Sequence, residues 1–321
     1  MPDDLLRVSD LKIQFEMALG TVRAVDGIDM RVGKNEAVGL VGESGCGKSV
    51  TALSMLGLVP QPGKIKEGKI VFRGRNLLDF SDDEMTEIRG KEISMVFQDP
   101  VPYLNPVMRV GDQISETIVR HQGISKSQAK EKTIEILEKV YIPSASDMAK
   151  YYPHQLSGGM CQRVMIAMAL SSNPSLLIAD EPTTALDVTV QSQILELIKE
   201  LKSKLGISLL LITHDLGIMA DICDRVYVMY AGKVVEESDI FQMFKNPRHP
   251  YSRGLLDSAL SIDEFKEDLV GILGTVPDPF SLPLGCKFHP RCKHAMERCR
   301  RDDPSMKTVC IGTSVACWLY N

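Results

Sequence analysis

The sequence lacks any stretch that is long and apolar enough to cross a membrane as a helix. Its longest apolar runs, such as residues 207–212, have the length of a strand, whereas a spanning helix needs about 20 mostly apolar residues. The amino terminus also lacks the basic start and the apolar stretch of a signal peptide. We therefore expect a soluble, cytosolic chain, which can still dock on a membrane protein.

An excess of basic residues is also missing. The 321 residues include 37 Lys and Arg against 42 Asp and Glu, which gives a formal net charge of −5. Proteins that bind nucleic acid mainly through electrostatics are usually basic, so no nucleic-acid partner is expected. The sequence contains no repeat and no low-complexity segment, and its hydrophobic content of 44% is sufficient for a folded core.

Short apolar runs alternate with helical patterns over much of the chain. This alternation predicts an α/β fold, in which a sheet with parallel strands carries helices on its faces. Residues 107–160 break the alternation and are interpreted as a helical insertion, in which Ser125 and Gln128 predict a capping box at a helix start. The predicted strands cover residues 36–41, 93–97, 175–179, 207–212 and 225–230.

A glycine-rich segment between a predicted strand and a predicted helix matches the phosphate-loop pattern G-x-x-x-x-G-K-[ST]. Its glycines let backbone N–H groups turn towards phosphates, and the helix N-terminus adds positive potential. Lys48 can reach the β- and γ-phosphates of a nucleotide, and the Ser49 hydroxyl can ligate Mg²⁺. Cys46 is interpreted as a small filler of the loop rather than a redox switch. The candidate nucleotide-binding residues here are Gly42, Glu43, Ser44, Gly45, Cys46, Gly47, Lys48, Ser49 and Val50.

Two carboxylates, Asp180 and Glu181, end a downstream apolar strand. Asp180 is placed to hold Mg²⁺ through its water shell, and Glu181 to orient or deprotonate an attacking water. Such a strand can also simply meet solvent at an acidic end, but its combination with the phosphate loop predicts a P-loop NTPase.

A second candidate anion site is formed by the turn of Ser157, Gly158 and Gly159 at the start of a helix. A head-to-tail dimer would use it, because the turn of each subunit would close over the γ-phosphate held by the other. With this turn, the sequence resembles the ATP-binding-cassette (ABC) ATPases, whose signature is LSGGQ. Met160 departs from that signature at its fifth position.

The resemblance implies roles for further residues. Gln98 would sense Mg²⁺ and couple to membrane subunits, His214 would contact the γ-phosphate, and Asp187 would communicate across the dimer. Glu181, His214 and Gln98 form the expected catalytic set, with Ser49, Gln98 and Asp180 around Mg²⁺. Phe15 is a candidate to stack on adenine, although a phenylalanine in a strand is equally well explained as core.

The resemblance also implies a domain organisation. An ABC nucleotide-binding domain would cover residues 1–240, with the helical subdomain at about 107–160. The composition changes after Gly232, where prolines become frequent. Residues 241–321 are therefore expected to form a small Cys-rich extension.

Three short sequence motifs in the extension resemble the C-terminal extension of the ATP-binding subunits of dipeptide/oligopeptide importers. They lie within residues 249–253, 274–277 and 285–292. This resemblance implies ATP hydrolysis that powers peptide import, at the cytoplasmic face of the membrane as a peripheral subunit. The implied partners are two membrane-spanning permease subunits, a second ATPase that is identical or related, and, indirectly, an extracytoplasmic peptide-binding protein. The alternative is a soluble ABC ATPase acting in nucleic-acid maintenance or metal-cluster assembly.

Five of the eight cysteines lie close together in the extension. Four thiolates suit zinc or a [4Fe–4S] cluster, and the spacing matches neither a zinc ribbon nor a ferredoxin, so unliganded thiols or disulfides also remain open. The resemblance favours [4Fe–4S], and zinc would add His289 or His294. The basic residues around the cysteines, Arg291 among them, are interpreted as a solvated face. The expected ligands are Cys286, Cys292, Cys299 and Cys317, with Cys310 as an alternative fourth.

Overall fold

A computed structural model describes residues 4–184, 186–263 and 272–321. The chain divides into two compact units. Unit 1 combines Met1–Asp79 with Leu211–Asn321, and unit 2 is Phe80–Leu210. Among the described residues, no helix combines the length and the hydropathy that a membrane span requires.

The amino-terminal part of unit 1 is built around a four-stranded antiparallel sheet. Its strand order is β2-β1-β4-β5, and the core side of β1 consists of apolar residues such as Leu6, Leu11 and Ile13, which are fully buried. The elements of this part are β1 (Asp4–Met17), β2 (Gly20–Gly33), β3 (Ala37–Val41), α1 (Lys48–Met55), β4 (Gly63–Phe72) and β5 (Arg75–Asn76).

Unit 2 is mainly helical and contains two parallel, hydrogen-bonded strands, β6 and β7. Residues of both strands are buried along their whole length, which is typical of parallel strands covered on both faces. The chain passes from unit 2 into unit 1 within β8. The elements are α2 (Asp82–Ile88), β6 (Ile93–Val96), α3 (Val110–Gln122), α4 (Lys126–Lys139), α5 (Ala145–Met148), α6 (Gly158–Leu170), β7 (Leu176–Asp180), α7 (Val188–Leu205) and β8 (Ser208–Thr213).

The carboxyl-terminal part of unit 1 adds strands beside β3. β9 pairs with β3 in parallel, and β10, β12 and β11 follow outwards in antiparallel pairing. The elements are α8 (Leu216–Ile222), β9 (Arg225–Tyr230), β10 (Lys233–Asp239), α9 (Ile240–Lys245), α10 (Pro250–Asp263), α11 (Glu297–Arg301), β11 (Lys307–Cys310) and β12 (Thr313–Val315).

The structure confirms the five strands predicted from apolar runs, as β3, β6, β7, β8 and β9, within one residue at each end. The capping box is also confirmed. The Ser125 hydroxyl accepts from the Gln128 backbone N–H at 3.3 Å, and the Gln128 side chain accepts from the Ser125 N–H at 3.1 Å. Residues 107–160 contain α3, α4, α5 and the start of α6. The domain boundary expected near residue 240 stays a prediction.

Candidate functional site

The glycine-rich loop of unit 1 connects β3 to α1 in a space that excludes larger residues. A Cβ atom on Gly42 would lie 2.1 Å from the Met229 carbonyl oxygen, and one on Gly47 would lie 2.3 Å from the Ala24 carbonyl oxygen. Gly47 also has a φ of 105°, a conformation that favours glycine. The loop therefore lies directly against the backbones of β2 and β9, which fixes its shape.

Lys48 begins α1 and folds back over this loop. Its side-chain Nζ donates to the carbonyl oxygens of Gly42 at 2.7 Å and Glu43 at 3.2 Å, and the residue is only 5% exposed. A buried ammonium group held against the loop in this way is well suited to bind phosphate oxygens. Cys46 is 1% exposed, and burial raises the pKa of its thiol. A neutral, buried thiol fits its interpretation as a filler.

Phe15 and His214 also belong to unit 1. Phe15 is half-buried on β1 opposite Gly63 of β4, where a Cβ atom would lie 2.6 Å from its ring. Glycine at position 63 thus leaves room for the phenyl ring. His214 follows β8 directly and is exposed, beside the capped start of α8. Stacking of Phe15 on adenine and contact of His214 with the γ-phosphate both stay predictions.

The acidic pair lies at the end of β7 in unit 2. Asp180 is 6% exposed, and Glu181 has a φ of 44°, which is uncommon for a residue with a side chain. Glu181 Oε2 accepts hydrogen bonds from Gln98 Nε2 at 3.2 Å and from the Thr184 hydroxyl at 2.9 Å. The structure thus brings together Gln98 and Glu181, two of the predicted residues. Thr184 is a further residue of this hydrogen-bonded group, and the sequence did not predict it.

The Ser-Gly-Gly turn and Asp187 both cap helices of unit 2. The Ser157 hydroxyl accepts from the Met160 backbone N–H at 3.3 Å at the start of α6, and the Asp187 carboxylate accepts from the Val190 N–H at 3.0 Å at the start of α7. A Cβ atom on Gly159 would lie 2.7 Å from a Val190 methyl group. Glycine therefore allows these two helix starts to approach closely.

Four of the five clustered cysteines interact with each other. Burial, together with the neighbouring thiols of Cys299, Cys317 and Cys292, raises the pKa of the Cys286 thiol to about 11. Backbone N–H groups two residues ahead of Cys286, Cys292 and Cys317 partly oppose the rise in the pKa of these thiols. Cys299 Sγ accepts from the Met296 N–H at 3.4 Å. Amide donors of this kind stabilise bound thiolates, so the chemistry of the four sulfurs fits a metal or cluster.

The geometry of the extension does not by itself form a metal centre. Among the residues that the structure describes, no group of three or more His, Cys, Asp or Glu side chains is arranged to hold a metal ion. His289 Nδ1 is engaged with the Cys286 carbonyl oxygen at 2.9 Å. The [4Fe–4S] cluster, its zinc alternative and the use of Cys310 as a ligand therefore stay predictions.

Arg291 contradicts the expectation of a solvated basic face. Its side chain is only 5% exposed and forms a bidentate ion pair with Glu43 of the glycine-rich loop. Arg291 Nη1 donates to Glu43 Oε2 at 2.6 Å, and Nη2 donates to Oε1 at 3.0 Å. The expectation was wrong for Arg291, because composition alone does not reveal that it packs against the loop, whereas Lys293, Arg298, Arg300 and Arg301 are exposed as expected.

The α/β fold, the phosphate loop and the acidic strand define the chain as a P-loop nucleotide-binding protein of the ABC type. Residues 25–184 match the family described as ABC transporter, and residues 235–299 match the oligopeptide/dipeptide transporter C-terminal region. The chain belongs to the ABC transporter family, in the group of ATP-binding proteins that carry this C-terminal region.

Characterised relatives match along nearly the whole chain. The oligopeptide transport ATP-binding protein AppD of Bacillus subtilis is 50% identical over 317 residues, which are 98% of this chain and 97% of the relative. The dipeptide transport ATP-binding protein DppD of Escherichia coli is 46% identical over 313 residues, 98% of this chain and 96% of the relative. A solved dimer of the ATP-binding cassette MJ0796 with ADP and Pi has a TM-score of 0.66, with 28% identity over 73% of this chain and 98% of that chain. These matches confirm the fold class and the resemblance.

Proposed function

We propose that the chain is the ATP-hydrolysing subunit of an ABC transporter that imports dipeptides or oligopeptides. The observation that carries the proposal is the end-to-end similarity to peptide-transport ATP-binding proteins, which includes both the cassette and the C-terminal region. A soluble ATPase of nucleic-acid or metal-cluster maintenance has no such support.

ATP and Mg²⁺ are the expected ligands of an ABC ATPase. In our proposal residues 42–50 bind the phosphates, with the Lys48 ammonium neutralising their charge. Ser49, Gln98 and Asp180 hold Mg²⁺, and Phe15 stacks on adenine. The buried position of Lys48 and the close-fitting loop support the assignment of phosphate binding to residues 42–50.

The proposed reaction is the attack of water on the γ-phosphate. Little covalent chemistry is required of the protein, so positioning and charge stabilisation account for most of the catalysis. Glu181 orients the water and accepts its proton, while His214 contacts the γ-phosphate. The hydrogen bonds from Gln98 and Thr184 support this role, because they fix the orientation of the Glu181 carboxylate.

We propose further that two cassettes enclose ATP between the phosphate loop of one and the turn of Ser157, Gly158 and Gly159 of the other, with Asp187 beside the interface. The related cassette solved as a dimer with ADP and Pi supports this arrangement. Binding of ATP would close the dimer, and hydrolysis would open it. The second cassette is either the same chain or a homologue.

The remaining proposed partners follow from the transporter assignment. Two membrane-spanning permease subunits would hold the ATPase at the cytoplasmic face of the membrane as a peripheral subunit. An extracytoplasmic protein would deliver the peptide without touching this chain. Affinity purification from detergent-solubilised membranes tests this proposal. Recovery of two multispanning proteins is the expected result, and recovery of nucleic acid without them would refute it.

For the extension we propose a [4Fe–4S] cluster held by Cys286, Cys292, Cys299 and Cys317, with a structural role. The mutual interaction of these four thiols and their amide donors support it. Anaerobic purification followed by iron, sulfide and zinc analysis is the test. About four irons per chain are expected, both in the wild type and in a Cys310→Ser control, whereas one zinc or no metal would overturn the cluster.

A further inference from the structure

The phosphate loop contains a carboxylate in a place where a negative charge opposes phosphate binding. Glu43 follows the first glycine of the loop, and its side chain is 28% exposed. A carboxylate and a polyphosphate repel each other over several ångströms unless a cation lies between them or the carboxylate is turned away. Tight nucleotide binding by the loop therefore requires that the Glu43 carboxylate is neutralised by a cation or turned away from the phosphates.

Arg291 is that cation in the structure. Its two terminal nitrogens donate to the two carboxylate oxygens of Glu43, at 2.6 and 3.0 Å, in the planar fork that suits a carboxylate. The third guanidinium nitrogen, Nε, donates to the Leu273 carbonyl oxygen at 3.0 Å. The guanidinium is thus fixed on both sides, and it holds the Glu43 side chain in one orientation.

The backbone of Glu43 is fixed by a second residue of the same region. The Glu43 N–H donates to the Tyr251 hydroxyl at 2.8 Å, and Tyr251 is fully buried. Tyr251 packs edge-on against Tyr230, over whose ring the Arg291 guanidinium lies at 5.8 Å. Phe288, between Cys286 and Cys292, completes this aromatic cluster.

We infer that Arg291 is a positioning residue for the phosphate loop, through which the C-terminal region sets the nucleotide affinity of its own chain. The inference rests on the proposed function of residues 42–50. Arg291 directly precedes Cys292, so the segment that contains the cysteines also carries the residue that neutralises Glu43. Arg291 does not touch the nucleotide in this inference and acts only through Glu43.

The test is equilibrium binding of MgADP to the full chain by titration calorimetry, since ADP is not hydrolysed. Arg291→Ala is expected to weaken binding about tenfold, because it leaves the Glu43 charge unpaired beside the phosphates. Arg291→Lys keeps the positive charge and loses the bidentate hydrogen bonding, so a smaller loss of MgADP affinity, about threefold, is expected. The matched control is Arg298→Ala, which removes a largely exposed arginine of the same region that stacks on Trp318, and it should bind as the wild type does.

Two readouts separate positioning from a general effect on folding. The double variant Glu43→Ala/Arg291→Ala should recover to within about threefold of the wild-type affinity, because the repelling charge is gone. The defect of Arg291→Ala should also shrink as salt is added, since salt screens the repulsion. Arg291→Ala binding within twofold of the wild type, or a double variant as weak as the single one, would overturn the inference.

Lys48→Ala distinguishes failure of this inference from failure of the proposed function. If Lys48→Ala abolishes MgADP binding while Arg291→Ala binds normally, the loop assignment stands and the inference about Arg291 is wrong. If Lys48→Ala also binds normally, the proposed nucleotide site itself is wrong. Should Arg291→Ala fail to fold, Arg291→Lys and its salt dependence still decide between the outcomes.

Discussion

Replacement of Glu181 by glutamine separates the charge of this carboxylate from its hydrogen bonds. In the wild-type chain, Glu181 Oε2 accepts from Gln98 at 3.2 Å and from Thr184 at 2.9 Å. A glutamine carbonyl oxygen at the same place can accept both bonds, so the local geometry should be retained. The substitution then removes only the negative charge and the basicity that the proposed role requires.

The expected loss can be estimated from what a general base contributes. A positioned base accelerates proton transfer by about 10²–10⁴-fold, which corresponds to roughly 3–5.5 kcal/mol of transition-state stabilisation. We therefore expect the ATP hydrolysis rate of Glu181→Gln to fall by about 10²–10⁴-fold. Binding of MgATP should remain, because the phosphate loop is unchanged, and the ATP-bound dimer should accumulate.

The assay is phosphate release by the assembled transporter at saturating ATP, together with light scattering of the ATP-bound chain. Glu196→Gln is the matched control, because Glu196 is an exposed carboxylate on α7. The control should hydrolyse ATP at the wild-type rate. Hydrolysis at that rate by Glu181→Gln would refute the role assigned to this residue, and equal losses in both variants would indicate damage to the fold.

Three further predictions concern the nucleotide and the stability of unit 1. Lys48→Ala should weaken MgADP binding by about a hundredfold or more in titration calorimetry, because the variant loses the buried ammonium that neutralises the phosphates. Arg225→Leu should lower the free energy of unfolding by about 3–5 kcal/mol in urea, because the buried guanidinium pairs with both Glu36 and Glu237. An unchanged unfolding midpoint would contradict this. Burial lowers the pKa of His249 to about 3, whereas a histidine in the unfolded chain has a pKa of about 6.5. As the pH falls below about 6.5, the unfolded chain therefore binds a proton that the folded chain does not, and stability is lost. The difference in free energy of unfolding between the wild type and His249→Asn should therefore shrink by about 2 kcal/mol between pH 7 and pH 5. A difference that does not change with pH would refute the lowered pKa of His249.

The strands that the sequence predicts are those whose pattern is continuous. β3 and β8 are buried at every position, so their apolar runs stand out against polar neighbours. β1 and β2 are each 14 residues long, yet neither is among the five strands predicted from apolar runs. Their pairing contains register shifts, for example between Val8 and Leu11, and each shift interrupts the alternation of buried and exposed residues.

The candidate site also has a part that the sequence predicts and a part that it does not. The loop of residues 42–49 is predictable because one contiguous pattern specifies its glycines and its lysine. The hydrogen bond from Gln98 to Glu181 joins residues 83 positions apart and was not predicted. The resemblance to a family placed Gln98 in the catalytic set, but it did not indicate this bond. Thr184 lies three residues after Glu181, and its hydroxyl donates to the Glu181 carboxylate. It was missed because such residues also occur in ordinary turns.

Glu43 shows why the contact with the C-terminal region was not predictable. In the phosphate-loop pattern this position is free to vary, so nothing in the loop itself explains a carboxylate there. Its explanation lies in Arg291, 248 residues further along the chain, whose buried guanidinium pairs with it. No local period or spacing connects the two positions.

The C-terminal region is joined to the phosphate loop within one compact unit, although the composition of the chain changes after Gly232. The hydrogen bonds that Glu43 forms with Tyr251 and Arg291 make this connection. A C-terminal region that only covered a surface would have no need of a buried arginine aimed at the phosphate loop. Its place supports the inference that this region influences nucleotide binding through Glu43.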